Sequence, residues 1–295
     1  MRDLAGVFIP VPTPFRGEEV ALDRLKSNLA RWNETALSGY VLLGSTGEVP
    51  LLTESEKDRV LAAAREAIGR DRFFSAGTGA ESTAATIRQT RRAAEIGADV
   101  AIVITPSYYK KGFSEPATQI RHYLSVAEAS PIPMMIYNIP QNTGINLEPE
   151  TVARIAEHPN VCGIKDSSGN IAQAAQIIHQ TPKSFHVLVG AASGLLPSLT
   201  LGSSGGILGL AVITARAHCE IYSLAREGRW EEAREVVHRM LAVDRGVHGR
   251  YGIGGLKAAL DVLGFYGGPC RAPLATPDGD AIADITELLA TAGLL

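Results

Sequence analysis

The feature that most constrains this chain is an alternation repeated eight times, in which a short apolar run of strand composition leads into a segment with helical period. Strand-like runs fall at 6–12, 40–43, 73–76, 100–104, 134–137, 161–164, 186–189 and 206–210. Helical patterns follow them, for example at 22–35, 54–68, 82–95, 117–128, 151–157 and 171–179. The runs are apolar almost throughout, which suits strands of a parallel sheet covered on both faces. Local punctuation agrees: Thr53 before Glu54-Ser55-Glu56 reads as a capping box, Ser82 opens a helix, and Gly69 and Gly97 end theirs. This pattern predicts an α/β fold, a (β/α)8 TIM barrel. A doubly wound open sheet is the competing architecture, but it favours fewer strands and a glycine-rich first turn, where this chain has Pro12-Thr13-Pro14-Phe15.

Beyond the eighth unit, helical patterns at 216–226, 230–243 and 254–263 lead through a Pro/Gly-rich stretch at 267–277 to a last helix near 281–292. The expected organisation is a barrel over 1–225 and a C-terminal helical extension over 226–295, packed together as one structural unit. No shift in composition marks a flexible linker between them.

Composition narrows the class of partner. The 295 residues are 45% hydrophobic and 20% charged, with a net charge of −3, so there is no basic footprint for nucleic acid and no polybasic patch for a membrane surface. No apolar stretch is long enough to span a bilayer. Near the N-terminus, Arg2 and a short apolar run are interrupted by Pro10, Pro12 and Pro14, unlike a signal peptide. Cys162, Cys219 and Cys270 are odd in number and scattered, which argues for a reducing, cytoplasmic setting rather than a disulfide framework. The seven histidines lack HxH or HExxH spacing and no cysteines form CxxC, so no metal is expected, and nucleotide-binding glycine motifs are also missing. A small-molecule substrate and no cofactor is the resulting expectation.

In a βα barrel the chemistry sits at the C-terminal ends of the strands. The run Val161-Cys162-Gly163-Ile164 ends in Lys165, followed by Asp166 and the turn Ser167-Ser168-Gly169. Burial disfavours a protonated amine, and the neutral amine is the form that attacks a carbonyl to make a Schiff base. A strand-end lysine can equally snorkel to solvent or pair with Asp166. Strand five ends in Tyr137, strand four leads into Ser107-Tyr108-Tyr109, and strand two leads into Gly44-Ser45-Thr46-Gly47-Glu48. Together these supply a nucleophilic amine, an acid/base phenol, and a hydroxyl and second phenol that can pass protons onward. Gly190 after strand seven and the Gly205-Gly206-Ile207 strand would let backbone approach a ligand, or serve only close packing.

Several segments match a known family: Val11-Pro12-Thr13-Pro14-Phe15, the turn from Gly44 to Glu48, the Thr78–Thr83 turn, Thr105-Pro106, Tyr137-Asn138-Ile139-Pro140, Gly163-Ile164-Lys165-Asp166 and Gly205-Gly206. The chain resembles, over almost its whole length, the dihydrodipicolinate synthase / N-acetylneuraminate lyase superfamily of Schiff-base class I aldolases. The resemblance implies a (β/α)8 barrel with a three-helix C-terminal extension, a homotetramer, and a 2-oxo acid substrate such as pyruvate held as an imine on Lys165, with no metal. It implies Tyr137 as general acid/base, Ser45 and Tyr108 as its proton relay, and Ser45, Thr46 and the Ile207 backbone against the pyruvoyl unit. Ser167, Gly190 and Asn142 complete the expected substrate contacts. Dihydrodipicolinate synthases carry an arginine for a second carboxylate where this chain has Asn142. That difference, Lys165-Asp166-Ser167, the 252–257 segment and the 265–274 segment are similar to 4-hydroxy-2-oxoglutarate aldolases, whereas Thr46 matches the synthases.

Overall fold

Strands β1 (Gly6–Pro10), β2 (Gly39–Leu42), β3 (Phe73–Gly77), β4 (Val100–Ile104), β5 (Met134–Asn138), β6 (Val161–Asp166), β7 (His186–Val189) and β8 (Gly205–Ile207) close into a parallel barrel in the order β1-β8-β7-β6-β5-β4-β3-β2. This is the (β/α)8 barrel that the alternation predicts, with a C-terminal helical extension. The computed structural model describes residues 4–295. Arg2, used above in reading the N-terminus, lies outside the described residues.

The chain divides into two compact units that interleave in sequence. One holds Phe73–Ile207 with the start of the chain up to Gly6, and the other holds Val7–Arg72 and Leu208–Leu295. In the first, β3 to β8 are covered by helices Thr83–Ile96, Pro116–Ala129, Pro149–Ala156 and Ile171–Gln180. Their shared core includes Val103, Val126, Ile136, Ile155, Ile164 and Ile177, all fully buried. Each such side chain stabilises the unit by about 1.5–3 kcal/mol. The punctuation reads as expected here: Ser82 accepts from the Ala85 N–H at 3.2 Å, and Gly97 ends its helix in the left-handed region.

In the second unit the C-terminal helices share a core with β1, β2 and the first two helices, Leu22–Trp32 and Glu54–Ala67. Trp32 donates from Nε1 to the Val212 carbonyl at 3.0 Å and stacks on Phe265 at 5.2 Å. Asn28 exchanges two hydrogen bonds with the Tyr266 backbone, at 2.7 and 2.9 Å. Thr53 and Glu56 form the expected capping box. The extension is more continuous than its periodicity suggests. A π-helical stretch, Asp244–Gly249, joins helix Trp230–Val243 to helix Arg250–Val262. Within this stretch a Cβ on Gly246 would lie 2.4 Å from Leu288 Cδ1, so that glycine admits a neighbouring helix. The three cysteines are free, and no helix among the described residues is long and apolar enough to cross a membrane.

Arg271 binds both oxygens of Glu56, at 2.6 and 2.9 Å, and also donates to the Leu51 carbonyl. The guanidinium holds the Glu56 carboxyl at about 2, below its ordinary 4.5. This depressed value means the pair contributes in full above about pH 4.5 and is lost as the pH falls toward 2. Replacing Arg271 with Leu should lower unfolding stability at neutral pH by about 1–3 kcal/mol, measured by urea titration. The gap from the wild type should narrow as the pH approaches 2; a gap independent of pH would show that the ion pair is not its source.

Candidate active site

The register of β5 against β6 sets Tyr137 opposite Lys165 and Asn138 opposite Asp166. Successive residues of a strand face opposite sides, so the first pair and the second pair point away from each other. Lys165 is 5% exposed, and its Nζ stands 4.1 Å from the centre of the Tyr137 ring, itself 5% exposed. An ammonium over a phenol face is a favourable contact, stronger where water is excluded.

Asp166 faces the other way and is fully engaged there. Its carboxylate accepts from Asn138 Nδ2 at 2.9 Å, from the Ser168 N–H at 3.2 Å and from Ser168 Oγ at 2.8 Å. Asn138 also donates to Asn146 Oδ1 at 2.9 Å and accepts the Leu147 N–H at 3.1 Å, and Asn146 bonds onward to Gln173 at 2.8 Å. The pairing of Lys165 with Asp166, one of the readings open from sequence, is therefore not formed. No ion pair holds Lys165 among the described residues.

Ser167 follows two residues after Lys165 and is 7% exposed. A Cβ on Gly190 would sit 1.8 Å from Ser167 Oγ, so the missing side chain at 190 makes room for that hydroxyl. Close packing, one of the two roles open for Gly190, is met here against Ser167 rather than against a helix. Gln141 donates from Nε2 to the Ser167 carbonyl at 2.7 Å, tying the loop after β5 to the loop after β6. Asn142 lies next to it, exposed, on the short helix Pro140–Thr143. Ile207 is buried at the end of β8.

Tyr108 is placed differently from its neighbours in the expected set. Its ring is 77% exposed and meets Tyr109 edge-on at 5.0 Å. The backbone beneath it is held: the Glu81 carboxylate accepts from the Ser107 N–H, from Ser107 Oγ at 3.1 Å and from the Tyr108 N–H at 2.9 Å. The first unit thus brings Lys165 and Tyr137 together, sets Ser167 two residues beyond Lys165 against Gly190, and leaves Tyr108 exposed.

Ser45 and Thr46 belong to the second unit, on the turn between Gly44 and Glu48, with Ser45 half-buried and Thr46 buried. Leu43 and Glu48, at either end of this turn, have φ of 57° and 56°, a left-handed conformation that side-chain-bearing residues rarely adopt. The constraint that keeps Glu48 there was not visible in the sequence. Its carboxylate receives Lys257 Nζ at 2.7 Å and the Arg271 N–H at 2.8 Å, and Lys257 also donates to the Thr13 carbonyl at 2.9 Å. Both charged groups are almost wholly buried. Burial pulls the Lys257 ammonium below the ordinary lysine value, against the opposing attraction of Glu48. Thr13 Oγ1 closes the turn from below by donating to the Gly47 carbonyl at 2.7 Å. Among the described residues, no group of three or more His, Cys, Asp or Glu side chains is placed to hold a metal ion.

The chain matches the dihydrodipicolinate synthetase family over residues 3–292. It belongs to that family. The 4-hydroxy-tetrahydrodipicolinate synthase of Methanospirillum hungatei is 35% identical over 288 residues, 96% of this chain and 98% of that one. A solved dihydrodipicolinate synthase from Thermotoga maritima superposes with a TM-score of 0.94 at 26% identity, covering 100% of both chains. A prophage protein of the same family from E. coli K12, solved in complex with pyruvate, superposes at 0.93 with 25% identity over 99% of each chain. These names support the superfamily resemblance. The finer likeness to 4-hydroxy-2-oxoglutarate aldolases finds no support among them.

The outward network around Asn138 generates a stability prediction. Asn138→Leu, close in volume, strands the buried Asp166 carboxylate and the Leu147 N–H and should cost about 2–5 kcal/mol in chemical denaturation. A loss below about 1 kcal/mol would show that the network contributes little to holding β5 against β6.

Proposed function

We propose that the protein is a lyase that forms an imine between Lys165 and pyruvate or a related 2-oxo acid, then makes or breaks a carbon–carbon bond to an acid-terminated aldehyde. The observation that carries this reading is the buried Lys165 amine beside the Tyr137 phenol, with the neighbouring carboxylate turned to the far side of the strand. The pyruvate complex of the E. coli family member supports a 2-oxo acid as the captured group.

Lys165 attacks the C2 carbonyl and water leaves, giving a protonated imine that serves as the electron sink, so the chemistry calls for no metal. Loss of a C3 proton yields the enamine. Its C3 then bonds to the aldehyde carbon, the new alkoxide takes a proton from Tyr137, and hydrolysis frees the lysine. Run backwards, Tyr137 takes the C4 hydroxyl proton, the C3–C4 bond breaks, and the enamine is protonated and hydrolysed to pyruvate. The family resemblance assigns Ser45, Thr46 and the Ile207 backbone to the pyruvoyl unit and Tyr108 with Ser45 to the proton relay, although Tyr108 is 77% exposed in this chain. A homotetramer is carried over from the resemblance, and a cytoplasmic setting from the odd number and scatter of the cysteines.

The relatives' names favour the synthase direction, condensation of pyruvate with aspartate semialdehyde. Asn142 favours cleavage of 4-hydroxy-2-oxoglutarate to pyruvate and glyoxylate, because a neutral amide stands where synthases use a bidentate cation. Parallel assays of the two reactions decide between them.

Treatment with pyruvate and borohydride should leave one reduced pyruvyl adduct, on Lys165; an adduct elsewhere, or none, removes the mechanism. Tyr137→Phe should still be trapped while turnover falls about 10²–10⁴-fold. Undiminished turnover would end the acid/base assignment.

A further inference from the structure

We propose that Lys110 is the cation that receives the distal carboxylate of the substrate, so that the site selects acid-terminated partners over neutral, sugar-derived ones. This inference rests on the imine chemistry proposed above and names the substrate class it acts on. Both reactions considered there involve a partner with a second carboxylate, and Asn142 offers that group no charge.

A charge is nevertheless present at the same loop. Gly144 closes the short helix Pro140–Thr143 with φ of +68°, and a Cβ built there would lie 2.8 Å from Lys110 Nζ, 3.1 Å from Cε and 3.3 Å from Cδ. The end of the lysine side chain therefore runs along the backbone two residues beyond Asn142, on the loop that begins at Tyr137. A side chain at 144 would displace it.

Lys110 comes from the loop after β4, and its base is held at both ends. Glu81 fixes the preceding residues through Ser107 and Tyr108, and the Lys110 carbonyl accepts from Ser114 through its N–H and its Oγ, both at 2.8 Å. Glu81 is occupied by those contacts. Among the described residues no carboxylate forms an ion pair with Lys110, which is exposed and open to an incoming anion.

An ammonium is a point charge rather than a planar fork, so it tolerates carboxylates arriving at different reach and angle. That suits glyoxylate, whose carboxylate is attached to the reacting carbon, and aspartate semialdehyde, whose carboxylate lies two carbons further out, alike. A neutral polyol chain gains nothing from it.

The test compares Lys110→Met with wild type on an acid-terminated substrate, 4-hydroxy-2-oxoglutarate or aspartate semialdehyde with pyruvate, and on a neutral-ended 2-oxo-3-deoxy sugar acid. KM for the acid-terminated substrate should rise about ten- to a hundredfold, with kcat changing less. The neutral-ended substrate and the rate of borohydride trapping with pyruvate should be unaffected. Gly144→Ala should shift KM in the same direction by a smaller factor, and Asn142→Arg on the Lys110→Met background should restore it. An unchanged KM in Lys110→Met, or an equal effect on both substrate classes, overturns the assignment while leaving the Lys165 chemistry standing. Failure of wild-type trapping removes the imine reading itself, and this inference with it.

Discussion

The register of β5 against β6 is the constraint on which the candidate site depends. Tyr137 and Lys165 occupy facing positions, and Asn138 and Asp166 occupy the next pair. A slip of one residue would send every side chain to the opposite face. The amide–carboxylate bond between Asn138 and Asp166, at 2.9 Å, stands against that slip, and it draws in Asn146, Leu147, Ser168 and Gln173. It also removes from Lys165 the nearest carboxylate in sequence. A lysine flanked by aspartate would otherwise be a candidate for an ordinary ion pair.

The second unit solves a different problem with buried charge. The turn carrying Ser45 and Thr46 ends at two residues in left-handed backbone, a conformation that costs about 1–3 kcal/mol per position and persists only where its surroundings over-determine it. Glu48 supplies that determination through Lys257 and the Arg271 backbone. Burying an ion pair is expensive, and replacing the pair with apolar groups is often neutral or stabilising. The structural return here is positional: a residue after the eighth strand reaches back to the turn after the second through one carboxylate. Lys257 lies 4.6 Å from the Phe15 ring centre and Arg271 lies 4.4 Å from it, so both cations also sit against the same aromatic.

Much of this was legible in the residues. Eight unbroken apolar runs with helical patterns after them specify a closed parallel barrel with little room for an alternative, and Thr53, Ser82 and Gly97 mark helix ends by local chemistry alone. Lys165 and Tyr137 each have a bland explanation alone and could be singled out only because both end strands that open on one barrel mouth and match the family's motifs. Other features depend on tertiary contact and leave no local trace. Glu48 and Lys257 are 209 residues apart, and nothing in the spacing of either joins them. The outward-facing Asn138 network is invisible for the same reason. The helical patterns at 230–243 and 254–263 left a gap between them, yet the chain continues there as a π-helical stretch in which Gly246 leaves room for Leu288. Tyr108 could be singled out from its place after a strand, but its 77% exposure over a backbone tied to Glu81 left no trace in the spacing.

Capture of a keto acid by Lys165 Nζ, with Tyr137 facing it, is the step on which the proposed chemistry depends. Crystals soaked with pyruvate test that most directly. Continuous density from Lys165 Nζ to the pyruvyl C2, with the Tyr137 hydroxyl within hydrogen-bond reach of the adduct, is the expected result. Pyruvate bound without a covalent link, or seated away from Lys165 and Tyr137, would contradict it.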